Sequence, residues 1–290
     1  MNEYGQLLEN VNLEKYNTYG IKTHAKYLIK PYDVNNLIDL MNYLKTNKIK
    51  YFILGNGSNI ILPDNDFDGV IIKLDNFNTI EYNDSIVKVG SGIKLGQLVD
   101  DTLNHGFGNL YFLSGIPGTV GGAIVQNAGA FNHSIFEYIK DVTVLDNGCI
   151  RTISKDEIKY SYRYTQFKNN KYLIILSCSI MLEKSNIDEI RKQINNNLQK
   201  RVKTQPLKYK NAGSVFKNPD GDSAGRIIDE LGLKGLTVGG AKISLEHANF
   251  IINYNFCKSS DIIELINIVK KKVKEKKNID LELEQEIINW

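Results

Sequence analysis

The sequence predicts an α+β fold, on three observations. Short apolar runs of strand length recur through much of the chain, helical repeats fall between them without regular strand–helix alternation, and three glycine clusters interrupt the pattern. A single doubly wound sheet would need the alternation that is missing here. At 290 residues the chain is long enough for a large core, and its length suggests two domains or three.

Residues 1–20 are polar and poorly periodic. Tyr27-Leu-Ile-Lys-Pro31 reads as a strand stopped by its proline, and Asp33 caps a helix whose Val34, Leu37, Leu40 or Met41, and Leu44 share one face. Tyr51-Phe-Ile-Leu54 is a buried strand running into Gly55-Asn-Gly-Ser-Asn59, which is either a backbone cradle for a ligand or a plain turn. It is not the dinucleotide fingerprint, because the third glycine is missing and apolar residues follow in place of a helix. Strands are expected at 69–74 and 85–90. Gly90-Ser-Gly92 then leads into a helix with Leu95, Leu98 or Val99, and Leu103 that should stop near Gly106.

The stretch from Asn109 to Ala130 holds Gly115, Gly118, Gly121, Gly122 and Gly129, with Pro117 between the first two. Glycine in such number raises the entropy cost of folding, and Gly118 to Ala128 is too apolar for an exposed linker. Ser114 to Gly122 therefore either brings backbone N–H groups to a phosphate, diphosphate or flat ring, or makes a tight turn between core elements.

Strands are expected at 141–145 and 172–182, with a turn at Asp146-Asn-Gly148 and a Ser154/Glu157 capping box between them. Tyr160-Ser-Tyr-Arg-Tyr164 either sets Arg163 among aromatic side chains that hold its guanidinium or leaves it as an edge arginine. Residues 187–203 form a polar helix that could bridge two domains. Asn211 to Pro219 gathers Ser214, Lys217 and Asn218 ahead of a helix over about 225–231 ending at Gly232. After a turn at Gly239-Gly240 and a strand over 248–253, Asp261 with Glu264 caps a helix lined by Ile262, Leu265 or Ile266, Val269 and Val273. The six lysines of Lys270 to Lys277 are a solvated face at the favourable end of the helix dipole. Leu281 to Ile288 offers one carboxylate to the interior.

Composition narrows the function. Thirty-six basic against 33 acidic residues leave a charge of +3, too little to argue for nucleic acid. Cys149, Cys178 and Cys257 have no metal-ligand spacing, so no metal is expected, and so sparse a set fits a reducing compartment. Neither a leader peptide nor an apolar run near ~20 residues is evident, so a cytoplasmic protein is expected.

Taken in order, Gly55-Asn-Gly-Ser-Asn59, Ser114-Gly-Ile-Pro-Gly-Thr-Val-Gly-Gly122, Gln126-Asn-Ala-Gly129, Tyr162-Arg163, Gly213-Ser-Val-Phe-Lys-Asn-Pro219, Val238-Gly-Gly240 and His247-Ala-Asn-Phe-Ile251 carry a resemblance. Over essentially its whole length the chain resembles the UDP-N-acetylenolpyruvoylglucosamine reductase family, flavoenzymes of peptidoglycan precursor synthesis. The resemblance implies a two-part FAD-binding region of the vanillyl-alcohol-oxidase superfamily type, in segments 1–78 and 79–200, followed by an α+β substrate-binding domain over 201–290. It implies non-covalent FAD at Gly55, Asn56, Gly57, Ser58 and Asn59 and at Ser114, Gly115, Pro117, Gly118, Thr119, Gly121 and Gly122, with backbone N–H groups of both loops on the diphosphate.

Arg163, Ser214 and Glu284 are the implied catalytic residues, and Tyr162, Lys217 and Asn218 the implied substrate contacts. The family's Leu-Glu-Pro-Glu appears here as Leu281-Glu-Leu-Glu284, with Glu282 and Glu286 a register step away. The short span between Arg163 and Ser214 resembles the type lacking a tyrosine loop over the uridine. NADPH is the implied co-substrate and a monomer the implied state. Two other readings share features: a superfamily alcohol or sugar oxidase, which gives no reason for Gly213 to Pro219, and a non-catalytic nucleotide-binding module.

Overall fold

In a computed structural model, which describes residues 1–170 and 172–290, the chain forms two compact units built from interleaved segments. Residues 1–9, 27–56 and 69–198 make the first; 10–26, 57–68 and 199–290 make the second. Its helices are α1 (Val34–Thr46), α2 (Leu95–Asn104), α3 (Val120–Gln126), α4 (Ile187–Thr204), α5 (Ala224–Glu230) and α6 (Ser259–Lys277).

The first unit carries two sheets. One has the strand order Gly5–Asn12, His24–Pro31, Phe67–Ile72, Tyr51–Ile53, the last two parallel. The other is antiparallel wherever its neighbours pair, in the order Cys149–Ser154, Ile139–Asp146, Leu173–Met181, Ile86–Gly90, Ile80–Asn83. Alternation along Leu173–Met181, reset by a bulge at Leu176 opposite Thr143 and Val144, lets this second sheet serve two cores. From Leu173–Met181, Ile174 and Leu176 pack with Leu37, Leu40 and Leu44 of α1. Ile175, Cys178 and Ile180 pack with Leu95, Leu98 and Val99 of α2 and with Val120, Ala123 and Ile124 of α3.

In the second unit, a three-stranded antiparallel sheet (Thr237–Val238, Ala241–Ile243, Ile251–Asn253) packs with α5 and α6. Its core also takes Tyr19, Ile21 and Ile61 from early in the chain. Ile60–Ile61 further pairs in parallel with Glu286–Ile287.

The chain passes between the two units at 9/10, 26/27, 56/57, 68/69 and 198/199. Residues 10–26 and 57–68 belong to the second unit, whose core buries their Tyr19, Ile21 and Ile61. Two elements depart from expectation. Gly5–Asn12 is a strand where no periodicity showed, and α3 is a helix inside the glycine-rich stretch, capped by Thr119. Helix α6 begins at Ser259, two residues before the expected Asp261, because the Asp64 carboxylate accepts the Ser259 and Ser260 N–H groups at 2.6 and 3.1 Å. Asp261, now in the first turn, accepts the N–H of the N-cap residue Lys258 and that of Gly240.

Candidate active site

Gly55-Asn-Gly-Ser-Asn59 leaves the strand Tyr51–Ile53 with alternate carbonyls tied back and its N–H groups open. The Lys73 ammonium donates to the Gly55 carbonyl, and the Thr18 N–H donates to that of Gly57 at 3.0 Å. No backbone N–H from Gly55 to Asn59 has a protein acceptor among the described residues. Gly57 has φ +65°, and a Cβ there would overlap the Tyr16 carbonyl, so only glycine fits. A row of open donors on fixed backbone suits the oxygens of a diphosphate. These residues fit FAD.

Lys73 is 5% exposed and lies 3.4 Å from Asp75, whose other oxygen takes Lys30 at 2.9 Å. Burial pushes the Lys73 ammonium below the usual lysine range, against the opposing pull of Asp75. Burial also disfavours the Asp75 anion, but Lys30 and Lys73 outweigh it and hold the carboxyl below its ordinary value.

The second glycine loop is brought against the first: Asn56 donates to the Pro117 carbonyl at 2.6 Å, and Thr119 Oγ would lie 3.3 Å from a Cβ on Gly55. Its donors, however, are mostly spent inside the protein. Ser114, Gly118, Val120 and Gly121 bond the carbonyls of Tyr111, Ile116, Ile93 and Ser91, and Gly122 bonds the Thr119 hydroxyl. The expectation that both loops present N–H groups is thus corrected for those positions. Local turns consume those of Ser114 and Gly118, and starting α3 and seating it on Ser91–Ile93 consumes the other three.

Arg163 is the second residue of a two-residue turn joining Tyr160–Ser161 to Tyr164–Thr165. Its φ of +56° is unusual for a long side chain, the kind of local strain found at functional positions. Its guanidinium donates to the carbonyls of Gly129 (2.7 Å) and Asn127 (3.5 Å) and lies 5.0 Å from the Tyr162 ring centroid. Asn127 caps α3 in left-handed conformation and donates to the Ser161 carbonyl at 2.8 Å. The Tyr162 ring and two carbonyls therefore aim Arg163, one of the two readings that the tyrosine-rich stretch left open, while Tyr162 stays 52% exposed.

In the second unit, Ser214 and the segment Leu281 to Glu286 lie on neighbouring stretches of backbone. Glu284 N–H donates to the Val215 carbonyl at 2.9 Å, Lys217 N–H to that of Glu282 at 2.9 Å, and Phe216 bridges Leu283. The Ser214 hydroxyl has no protein partner among the described residues, and Gly213 before it has φ +76°. Of the three glutamates, Glu282 is exposed and pairs with Lys217 at 3.0 Å, whereas Glu284 and Glu286 are half-buried. The backbones of Ser214 and Glu284 thus lie side by side, while the Lys217 side chain is paired with Glu282. Asn218 serves the fold as well, its amide oxygen accepting the Ala224 N–H at the start of α5.

Two buried amides that hold this backbone went unassigned in the sequence. Asn249, 3% exposed, donates to the Phe216 carbonyl at 2.8 Å and accepts its N–H at 2.9 Å. Gln285, 2% exposed, donates to the Ala212 and Gly213 carbonyls and accepts the Tyr19 hydroxyl, which burial pushes up in pKa. The inward-facing polar group of the C-terminal segment is thus first of all an amide. A lone amide inside the apolar run Ala248 to Ile252 was the available signal. His247 Nδ1 accepts the Asn249 N–H at 3.2 Å, and burial, with Lys234, lowers its pKa.

Comparison with known proteins agrees with this arrangement. The family model described as the C-terminal domain of UDP-N-acetylenolpyruvoylglucosamine reductase matches residues 205–288, and one described as an FAD binding domain matches 25–153. The UDP-N-acetylenolpyruvoylglucosamine reductase of Caldanaerobacter subterraneus is 38% identical over 285 residues, 98% of this chain and 94% of that protein. That of Clostridium novyi is 36% identical over 284 residues, 98% and 92% respectively. The crystal structure of the Thermus caldophilus enzyme superposes with a TM-score of 0.84 at 34% identity, covering 99% of this chain and all of that one. With FAD-suited loops followed by the reductase C-terminal domain, and relatives aligned over nearly its full length, the chain belongs to the UDP-N-acetylenolpyruvoylglucosamine reductase family.

Proposed function

We propose that the chain reduces the enolpyruvyl ether of UDP-N-acetylglucosamine to UDP-N-acetylmuramate, a step of peptidoglycan precursor synthesis, taking its electrons from NADPH. We read it as a cytoplasmic monomer; among the described residues no helix is long and apolar enough to cross a membrane. The observation that carries the reading is the open Ser214 hydroxyl on a backbone locked by buried amides beside Glu284, within the segment matched by the reductase C-terminal domain.

FAD, when bound, supplies the hydride chemistry. The chain's own residues do the rest. Hydride arrival at C3 of the enolpyruvyl group leaves charge on C2 that spreads into the carboxylate as an enolate. The fixed fork of Arg163 stabilises that carboxylate, its aim set by the Gly129 and Asn127 carbonyls. Ser214 gives its proton to C2 and so sets the configuration of the product. A hydroxyl is a weak acid, but the enolate is strongly basic and the serine backbone is held. Glu284, in its protonated form, polarises the same carboxylate, Tyr162 lines the substrate, and Lys217 with Asn218 meets the diphosphate and neighbouring polar groups.

Spectroscopy tests the reading. Purified protein is expected to be yellow, to release FAD and not FMN on denaturation, to bleach anaerobically with NADPH, and to recolour on adding the enolpyruvyl sugar nucleotide. Recolouring by oxygen alone, with no response to that nucleotide, would favour an oxidase; a colourless protein that takes up no FAD would leave a plain nucleotide-binding module. Lys217 provides a second check. Lys217→Ala removes a charge-assisted contact worth roughly 1.5–3 kcal/mol, raising KM for the sugar nucleotide by about 10- to 100-fold while flavin reduction by NADPH continues. Its pairing with the exposed Glu282 contributes little to stability, so the fold should tolerate the change. An unaltered KM would place the diphosphate elsewhere.

A further inference from the structure

Lys73 is a buried cation that the proposed chemistry does not use. Burying an ammonium is unfavourable, so the groups that hold it carry the meaning. Asp75 is the nearest anion, but its closer partner is Lys30, at 2.9 Å against 3.4 Å for Lys73. The shortest contact of Lys73 is to the Gly55 carbonyl.

The Gly55–Asn56 peptide is trans, so its C=O and N–H point in opposite directions. Anchoring the Gly55 carbonyl on Lys73 therefore turns the Asn56 N–H away from the protein interior, and that N–H is one of those without a protein acceptor. The Asn56 side chain is fixed as well, donating to the Pro117 carbonyl and accepting from Lys94 Nζ, both at 2.6 Å. Lys30, Lys73 and Lys94 against the single Asp75 leave a net positive charge behind the donor.

We propose that Lys73 is a positioning residue for the cofactor: by holding the Gly55 carbonyl it aims the Asn56 N–H at the anionic diphosphate of FAD. The proposal rests on the FAD reading and adds to it a specific residue. It requires Lys73 to matter to a ligand bearing the diphosphate and not to the flavin ring alone. A merely structural lysine would weaken both ligands together.

The test is the affinity of the full chain, stripped of flavin, for FAD and for riboflavin, followed by flavin fluorescence. Lys73→Met should raise the Kd for FAD by about 10- to 100-fold while changing that for riboflavin by less than about threefold. Lys73→Arg, which keeps a charged donor, should recover most of the FAD affinity. Should Lys73→Met fail to fold, Lys73→Gln takes its place, with an intermediate loss for FAD and none for riboflavin. An unchanged Kd for FAD, or equal losses for both ligands, overturns the proposal. Wild-type protein that binds no FAD at all would instead refute the cofactor reading.

Discussion

Ser214→Ala should leave flavin reduction by NADPH at the wild-type rate and slow reoxidation by the enolpyruvyl sugar nucleotide by about 10²- to 10⁴-fold, the usual loss on removing a positioned proton donor. The two half-reactions separate because only the second ends with a proton delivered to substrate C2. The structure argues that the loss will be chemical. The Ser214 hydroxyl bonds no protein group among the described residues, while Gln285 holds the Ala212 and Gly213 carbonyls and Asn249 holds Phe216. Removing one oxygen should leave this backbone, and the denaturation midpoint, where they are. Ser214→Cys retains a donor near the same place and should regain part of the rate. Rapid mixing of pre-reduced protein with the sugar nucleotide reads the outcome: wild-type reoxidation in Ser214→Ala, with FAD fully bound, would remove this serine as the acid.

Asn249→Ala is expected to give the largest loss of stability, about 2–5 kcal/mol in chemical denaturation. Its side chain is the partner of both backbone groups of Phe216, which is itself 2% exposed. Truncation leaves a buried N–H and a buried carbonyl unpaired, each costing about 1–3 kcal/mol. Even in molecules that remain folded, the segment from Gly213 to Lys217 loses the tie that fixes it, so reoxidation by the sugar nucleotide should slow as well. A destabilisation below about 1 kcal/mol would mean that Phe216 finds other partners and that Asn249 is not what locks this backbone.

The sequence by itself determined whatever depends on near neighbours. Apolar spacing placed α1 and α2, the Asp146-Asn-Gly148 turn appears with Asn147 and Gly148 at positive φ, and the Ser154/Glu157 box caps a short 3-10 helix. The lysine-rich end of α6 is largely exposed, as its spacing implied. Long motifs in fixed order carried the family, because so many residue identities in one order do not recur by chance.

Tertiary structure decided what depends on distant partners. Strand Gly5–Asn12 forms because a sheet receives it, and its own pattern was too weak to announce it. Helix α3 forms across Gly121 and Gly122, against their propensity, because Thr119 caps it and Ser91 and Ile93 take its first N–H groups. Helix α6 starts early because Asp64, some 195 residues away along the chain, supplies its cap. Which glycine loop keeps its donors open was likewise a matter of who else could accept them: Lys73 and Thr18 take carbonyls in the first loop, and α3 takes N–H groups in the second. A hydrogen bond between residues far apart in the chain leaves no periodicity in the sequence, and these bonds set both the helix starts and the open donors.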